Sequence, residues 1–217
     1  MGFKEMFDFL NRLQKNNHKE WMDEHRKEYH QVRDFFIDWL DAMNVELAKI
    51  DKGYFDTPGK KAINRINNNL LFHPNRPVYK DHFGAGLDQV TKQGDFYIEL
   101  GVTECFMGGG YWYPSSKLIR SIREAIDYNG EELSSILNKK SFKECFGGLI
   151  ESDVLKNPPR GFSNDHPHIE LLKRKSFAVG CGLTHEEVLA PDFNKRVIEV
   201  YLELVPFRRY LNEAVSV

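Results

Sequence analysis

The sequence predicts an α+β protein, with an antiparallel central sheet, an N-terminal helical hairpin and C-terminal helices packed around the sheet. Three observations carry this. Apolar residues recur at steps of three and four over positions 3–47, the period shortens towards two across 62–107, and helical spacing returns from about 114.

Phe3, Met6, Phe7, Leu10 and Leu13 mark one face of a first helix, which Asn16-Asn17 ends. Asn17 is a suitable N-cap for a second, longer helix, with Glu20 completing a capping box. Trp21, Tyr29, Val32, Phe36, Leu40, Met43 and Leu47 form that helix's apolar stripe. Gly53, Pro58 and Gly59 then make a loop. Ala62 to Ile66 reads as a strand, as do Phe83 to Val90 and Phe96 to Val102, and Glu104 to Met107 continues the sheet. Lys92-Gln93-Gly94-Asp95 supplies a turn between two of these strands, and Gly108-Gly109-Gly110 is expected to break regular structure.

Pro114 is expected in the first turn of the next helix, where a missing N–H costs nothing, with Leu118, Ile122, Ala125 and Ile126 on its buried face. Leu133 to Leu137 and Phe142 to Phe146 read as shorter helices. Asp165 is placed to cap a short helix carrying Ile169, Leu171 and Leu172. Phe177 to Leu183 reads as a strand. A last helix runs from about Pro191 to Leu211, kinked or restarted at Pro206. No repeat or low-complexity linker interrupts the chain, so residues 1–217 are expected to form one domain.

Composition narrows the function classes. A hydrophobic share of 41% and a charged share of 29% belong to a folded globular chain rather than a disordered one. Thirty basic against 32 acidic residues give a net charge of -2, which disfavours a nucleic-acid partner while leaving room for a local basic patch. No apolar run approaches the roughly 20 residues that span a bilayer, and the first residues lack a signal-peptide core, so no membrane partner is expected. Cys105, Cys145 and Cys181 are odd in number and share no metal-ligand spacing. Reduced thiols and a cytoplasmic location are the expectation. No cofactor fingerprint, Gly-x-Ser-x-Gly elbow or His-Glu-x-x-His motif occurs.

Three segments hold side chains capable of chemistry. The run from Arg65 to Lys80 contains Arg65, His73, Arg76, Tyr79 and Lys80. Arginine forks, a lysine point charge and a phenol are the donors an anion pocket needs, although His-Pro-Asn-Arg-Pro is also plain turn composition. In the second segment, Arg160 lies in a proline-stiffened loop and Asp165-His166 can form a histidine–carboxylate pair; Asp165 serves equally as a helix cap. His166 and His168 with Glu170 fall short of a metal site, because Pro167 separates the histidines and such sites need three or four convergent ligands. In the third, Trp112 of Gly108-Gly109-Gly110-Tyr111-Trp112-Tyr113 can wall a pocket, or the three rings can pack beneath the following helix.

Ordered motifs also run along nearly the whole chain. They are Phe9 to Trp21 with its Asn-Asn-x-x-Glu-Trp, then Arg65-Ile66, Phe72, Arg76 and Tyr79-Lys80, then Gly109-Gly110-Tyr111-Trp112-Tyr113-Pro114. Pro158-Pro159-Arg160-Gly161-Phe162 with Asp165-His166-Pro167 comes next, and Leu171-Leu172 with Lys175-Ser176-Phe177 closes the set. In these the chain resembles a widespread bacterial family of uncharacterised proteins, catalogued as domain of unknown function 2461. The resemblance implies no activity. That family's signature reads Arg, two residues, Arg-Asp, one residue, Arg-Phe, then Asp or Asn before Lys. Asn68, Asn69 and Leu71 stand here for its second Arg, its Asp and its third Arg, and Arg76 stands for its Lys. Against that pattern two guanidinium groups and one carboxylate are missing, and an Asn in place of Asp cannot act as a general base.

Three readings are open. In the first the chain binds an anionic small molecule, as an enzyme or a degenerate one, through Arg65, Arg76, Tyr79, Lys80, Trp112, Arg160, Asp165 and His166. In the second the Arg65–Lys80 segment of a non-catalytic module contacts a macromolecule. In the third the segment is structural. Oligomeric state is left open.

Overall fold

A computed structural model gives the structure of residues 1–90 and 93–215. Among these residues nine helices accompany one four-stranded antiparallel sheet of order β1-β2-β3-β4, with helices leading and closing the chain. The strands are β1 (His82–Leu87), β2 (Phe96–Gly101), β3 (Cys105–Tyr111) and β4 (Phe177–Leu183). The fold is α+β. The chain divides into two compact units: 1–89, 97–107 and 182–198 in one, and 90–96, 108–181 and 199–217 in the other.

The first unit opens with helices α1 (Phe3–Lys15), α2 (Lys19–Glu24), α3 (Arg26–Ile50) and α4 (Gly59–Ala62). The predicted helical hairpin is present, with its second arm broken at His25. Phe9, Leu10 and Leu13 of α1 are buried, as are Phe36, Leu40, Met43 and Leu47 of α3 and Phe83, Ala85 and Leu87 of β1. Phe36 lies 5.8 Å from Phe83, centre to centre, which seats α3 on one face of β1. Strand alternation sends His82, Gly84 and Gly86 to the other face. Helix α8 (His185–Leu189) is opened by a capping box between Thr184 and Glu187. The start of α9 (Phe193–Val215) brings Phe193 against Trp39 with ring centres 5.6 Å apart.

The second unit contains α5 (Ser116–Asn138), α6 (Lys140–Phe146), α7 (Ile169–Leu172) and the rest of α9. Phe142 packs on Phe207 at 5.8 Å, and buried Arg208 donates through Nε and Nη2 to the Gly94 carbonyl at 3.2 and 2.9 Å. Helix α5 is bent at Asn129, whose φ and ψ of -147° and 55° are not helical. The freed Asn129 carbonyl accepts the Tyr210 hydroxyl at 3.1 Å, and Leu133 to Leu137 lie in the helical stretch beyond this break, as the sequence predicts.

Several expectations need correction. Ala62 to Ile66 is no strand: α4 ends at Ala62, and the chain beyond it makes single bridges, Ile63 to Ala85 and Asn67 to Tyr79. The N-cap of α2 is His18, whose ring accepts from the Trp21 N–H; Asn17 is occupied elsewhere. Gly108 to Gly110 do not interrupt the sheet but lie inside β3. A Cβ on Gly109 would lie 2.6 Å from the Asp95 carbonyl oxygen, so this glycine serves close approach rather than a break. Pro114 precedes α5, because Ser115 takes the N-cap. Helix α9 runs Phe193–Val215, close to the expected start, and carries Pro206 inside it without a restart. The turn expected at Lys92-Gln93-Gly94-Asp95 falls partly outside the described residues.

Candidate functional site

The Arg65–Lys80 run folds back on itself within the first unit. Its outgoing arm is tied to β1 by the Asn64 N–H, which donates to the Gly84 carbonyl at 2.7 Å. Its two arms are tied together by Lys80 N–H to Ile66 carbonyl at 2.8 Å and Asn68 N–H to Val78 carbonyl at 3.0 Å. At the far end Leu71 and Phe72 are 84% and 72% exposed. At the near end the Asn17 carboxamide accepts from the Tyr79 N–H at 2.8 Å and donates to the Tyr79 carbonyl at 2.9 Å, while Gln14 donates to the Lys80 carbonyl at 3.1 Å. An amide side chain is both donor and acceptor, so it fits the two backbone groups of one extended residue.

Tyr79 and Lys80 differ in surroundings, as neighbours on an extended chain do. The Tyr79 ring is buried, and burial pushes its phenol pKa up, with Asp23 adding to the rise and Arg26 opposing it. Lys80 is half-buried. Burial holds its ammonium pKa down, Glu99 opposes that, and Arg65 and Arg76 add repulsion. Arg65 and Arg76 are exposed, and among the described residues neither side chain makes a hydrogen bond or an ion pair. Arg65 and Arg76 thus both work against the charge on Lys80, and Glu99 supports it.

Glu99 is the centre of a second group, on the face of β1 and β2 that carries His82 and Gly84. One of its oxygens, Oε2, accepts the Tyr97 hydroxyl at 2.8 Å and lies 3.3 Å from His82 Nε2. His82 Nδ1 stands 3.0 Å from Asp81 Oδ1, and the Thr103 hydroxyl donates to Asp81 Oδ2. Burial works against the Asp81 carboxylate, but the hydrogen bonds from Thr103 and His82 outweigh it and hold its pKa below the usual range. A Cβ on Gly84 would lie 2.3 Å from the Tyr97 hydroxyl oxygen, so glycine here leaves the space that the phenol fills. Sequence reasoning missed Asp81, His82, Tyr97 and Glu99. The available signal was a carboxylate inside an otherwise largely apolar strand, two residues from Tyr97 and therefore on its face.

The other predicted site residues belong to the second unit. Trp112 is 55% exposed and meets Tyr113 edge-on at 4.9 Å; of the three rings only Tyr111 is buried, so they do not form a packed corner. Arg160 is exposed and, among the described residues, makes no hydrogen bond or ion pair. Asp165 is exposed and does not cap α7, whose N-cap is His168. His166 pairs not with Asp165 but with Asp127 of α5, Nε2 to Oδ1 at 3.0 Å. Its Nδ1 accepts from the His168 N–H at 3.0 Å, which assigns the proton to Nε2. His168 in turn lies 3.5 Å from Glu131, with its ring where a side chain on Gly130 would be. These pairs fasten the loop before α7 to α5.

The family model described as conserved hypothetical protein (DUF2461) matches residues 5–210. No curated protein and no solved structure matches the chain.

Proposed function

The chain belongs to the family of conserved hypothetical proteins DUF2461, and we propose that it binds a small anionic ligand at Arg65, Arg76 and Lys80 of the first unit. One observation carries the reading: the pairing of Lys80 N–H with the Ile66 carbonyl sets half-buried Lys80 beside Arg65 in the same folded-back run as Arg76, and among the described residues none of the three makes an ion pair. Like charges held together raise the free energy of the empty site, and an anion relieves it. Two guanidinium groups add the fork geometry that carboxylates and phosphates match. Tyr79 contributes by anchoring the segment. Arg160, Trp112, Asp165 and His166 form no part of this proposal. None of Cys105, Cys145 and Cys181 forms a disulfide, which supports a reducing, cytoplasmic setting.

Thermal melts with inorganic phosphate at low ionic strength test the proposal. Phosphate at about a hundred times its Kd stabilises the folded chain by about 2.7 kcal/mol. The double variant Arg65→Ala, Arg76→Ala should lose that rise yet melt within about 0.5 kcal/mol of the parent when unliganded, since both side chains are exposed and unpaired. A sharp loss of unliganded stability would instead assign the arginines to the fold.

A second reading is favoured by the exposed apolar tip at Leu71 and Phe72. A macromolecular partner covering the tip and the cations together would make a polyanion such as heparin bind far more tightly than phosphate. Similar affinities would leave the small-molecule reading in place.

A further inference from the structure

We infer that the Arg65–Lys80 run docks on the surface of an anionic phospholipid bilayer, with Leu70, Leu71 and Phe72 entering the interface while Arg65, Arg76 and Lys80 hold headgroup phosphates. The inference rests on the proposed anion site and names the source of the anion.

The tip of the run is a closed loop. Its base is fastened by Lys80 N–H to the Ile66 carbonyl at 2.8 Å and by the bridge between Asn67 and Tyr79. Asn68 adds its backbone N–H to the Val78 carbonyl at 3.0 Å and its side-chain amide to the Pro77 carbonyl at 2.9 Å. Beyond that closure every residue from 69 to 77 is exposed. The Asn69 carbonyl accepts from the Phe72 and His73 N–H groups at 3.3 and 3.0 Å, and the His73 carbonyl accepts from Arg76 N–H at 3.1 Å, so the loop turns on itself. Pro74 and Pro77 have no N–H to satisfy. Leu70, Leu71 and Phe72 follow one another in this loop, 36%, 84% and 72% exposed. Apolar surface gathered in that way marks a contact.

Charge selects the partner. From Thr57 to Lys80 the chain carries five Lys and Arg residues and no acid, so the run is positive along its length. The acids around its base are engaged: Asp81 by His82 and Thr103, Glu99 by Tyr97 and His82, Glu20 by His18 and Asp23 by Arg26. An apolar tip backed by cations matches a bilayer whose headgroups are anionic and whose interior is hydrocarbon. A soluble polyanion would satisfy the cations and leave Leu71 and Phe72 in water. Consecutive side chains leave the backbone in different directions, so a rigid protein pocket matches only part of such a tip, whereas fluid hydrocarbon closes round all of it. Crossing a bilayer requires a long apolar helix, which none of the described residues forms. Docking on its surface is a different contact from the spanning one that the sequence argues against.

The test floats the whole chain on vesicles of phosphatidylcholine alone and of equimolar phosphatidylcholine and phosphatidylserine. The parent should partition onto the anionic vesicles at least about tenfold more strongly, since each cation near such a surface is worth about fivefold. The double variant Leu71→Ser, Phe72→Ser should weaken that binding by at least about tenfold, the loss expected when two apolar side chains no longer leave water. It should melt with the parent and keep the rise with phosphate, because both side chains are exposed. Phe72→Trp should be quenched by lipids brominated on their acyl chains beyond the quenching seen in the parent. Equal partitioning onto the two kinds of vesicle, or none, with the phosphate response kept, would overturn the lipid surface and leave the anion site standing. Unchanged partitioning of Leu71→Ser, Phe72→Ser would overturn the entry of the tip. Anionic-vesicle binding kept by Arg65→Ala, Arg76→Ala would overturn the part given to the arginines. Capture by heparin without binding to the anionic vesicles would assign the tip to a macromolecule instead. A parent that responds to neither phosphate nor anionic vesicles would overturn the anion site itself.

Discussion

Asp81 and Lys80 are adjacent and respond to burial in opposite directions. The Asp81 carboxyl titrates below its ordinary range: burial alone would raise it, and the bonds from Thr103 and His82 more than offset that. A carboxyl depressed in the folded chain contributes stability that is complete above its unfolded pKa, near 3.9, and is lost as pH falls through the folded value. The stability gap between the parent and Asp81→Ala should therefore stay constant, at about 1 kcal/mol, from pH 7 to pH 5 and shrink below about pH 4. Chemical denaturation at several pH values measures it, and a gap undiminished at pH 3 would refute the assignment. Lys80 has the other sense. Burial lowers its ammonium pKa, so the charged form costs the fold something that the proposed anion would return.

Between elements, the Asn17 carboxamide joins the turn after α1 to the returning arm of the Arg65–Lys80 run through both backbone groups of Tyr79. Asn17→Ala leaves a donor and an acceptor beside a buried ring without partners, and should cost about 2–3 kcal/mol in urea denaturation. Asn17→Asp keeps the acceptor and loses the donor, and should fall between. Equal stability of Asn17→Ala and the parent would contradict the anchoring role. The sequence places an N-cap at this position because Asn followed by Glu20 satisfies a local rule, while the partner is 62 residues away. The same limit explains other differences. β1, β2 and β4 are legible because alternation is local, whereas the segment after Ala62 makes only isolated bridges, and Gly108–Gly110 are strand residues because of what lies over them. At the site, Arg65, Arg76 and Lys80 are legible because they are close in sequence. Glu99 and His82 are not, since strand pairing alone brings β1 and β2 side by side.

Over the whole chain, the two compact units are not consecutive stretches: the path passes from one to the other after residues 89, 96, 107, 181 and 198. Neither can be cut out as a continuous segment. Residues 1–217 should accordingly unfold in one calorimetric transition, with van't Hoff and calorimetric enthalpies equal, and two resolved transitions would argue for separate domains. The helices carry no span long and apolar enough to cross a membrane among the described residues. The fold presents in its first unit a run tied to α1 and β1 at its base, bearing Arg65, Arg76 and Lys80 without ion-pair partners among the described residues. The most direct test is a crystal of the parent chain soaked with tungstate, an electron-dense analogue of phosphate, and read by anomalous scattering. The anion site predicts a peak within hydrogen-bond reach of Arg65, Arg76 and Lys80. Tungstate bound elsewhere, with those three side chains turned to bulk solvent, would contradict it.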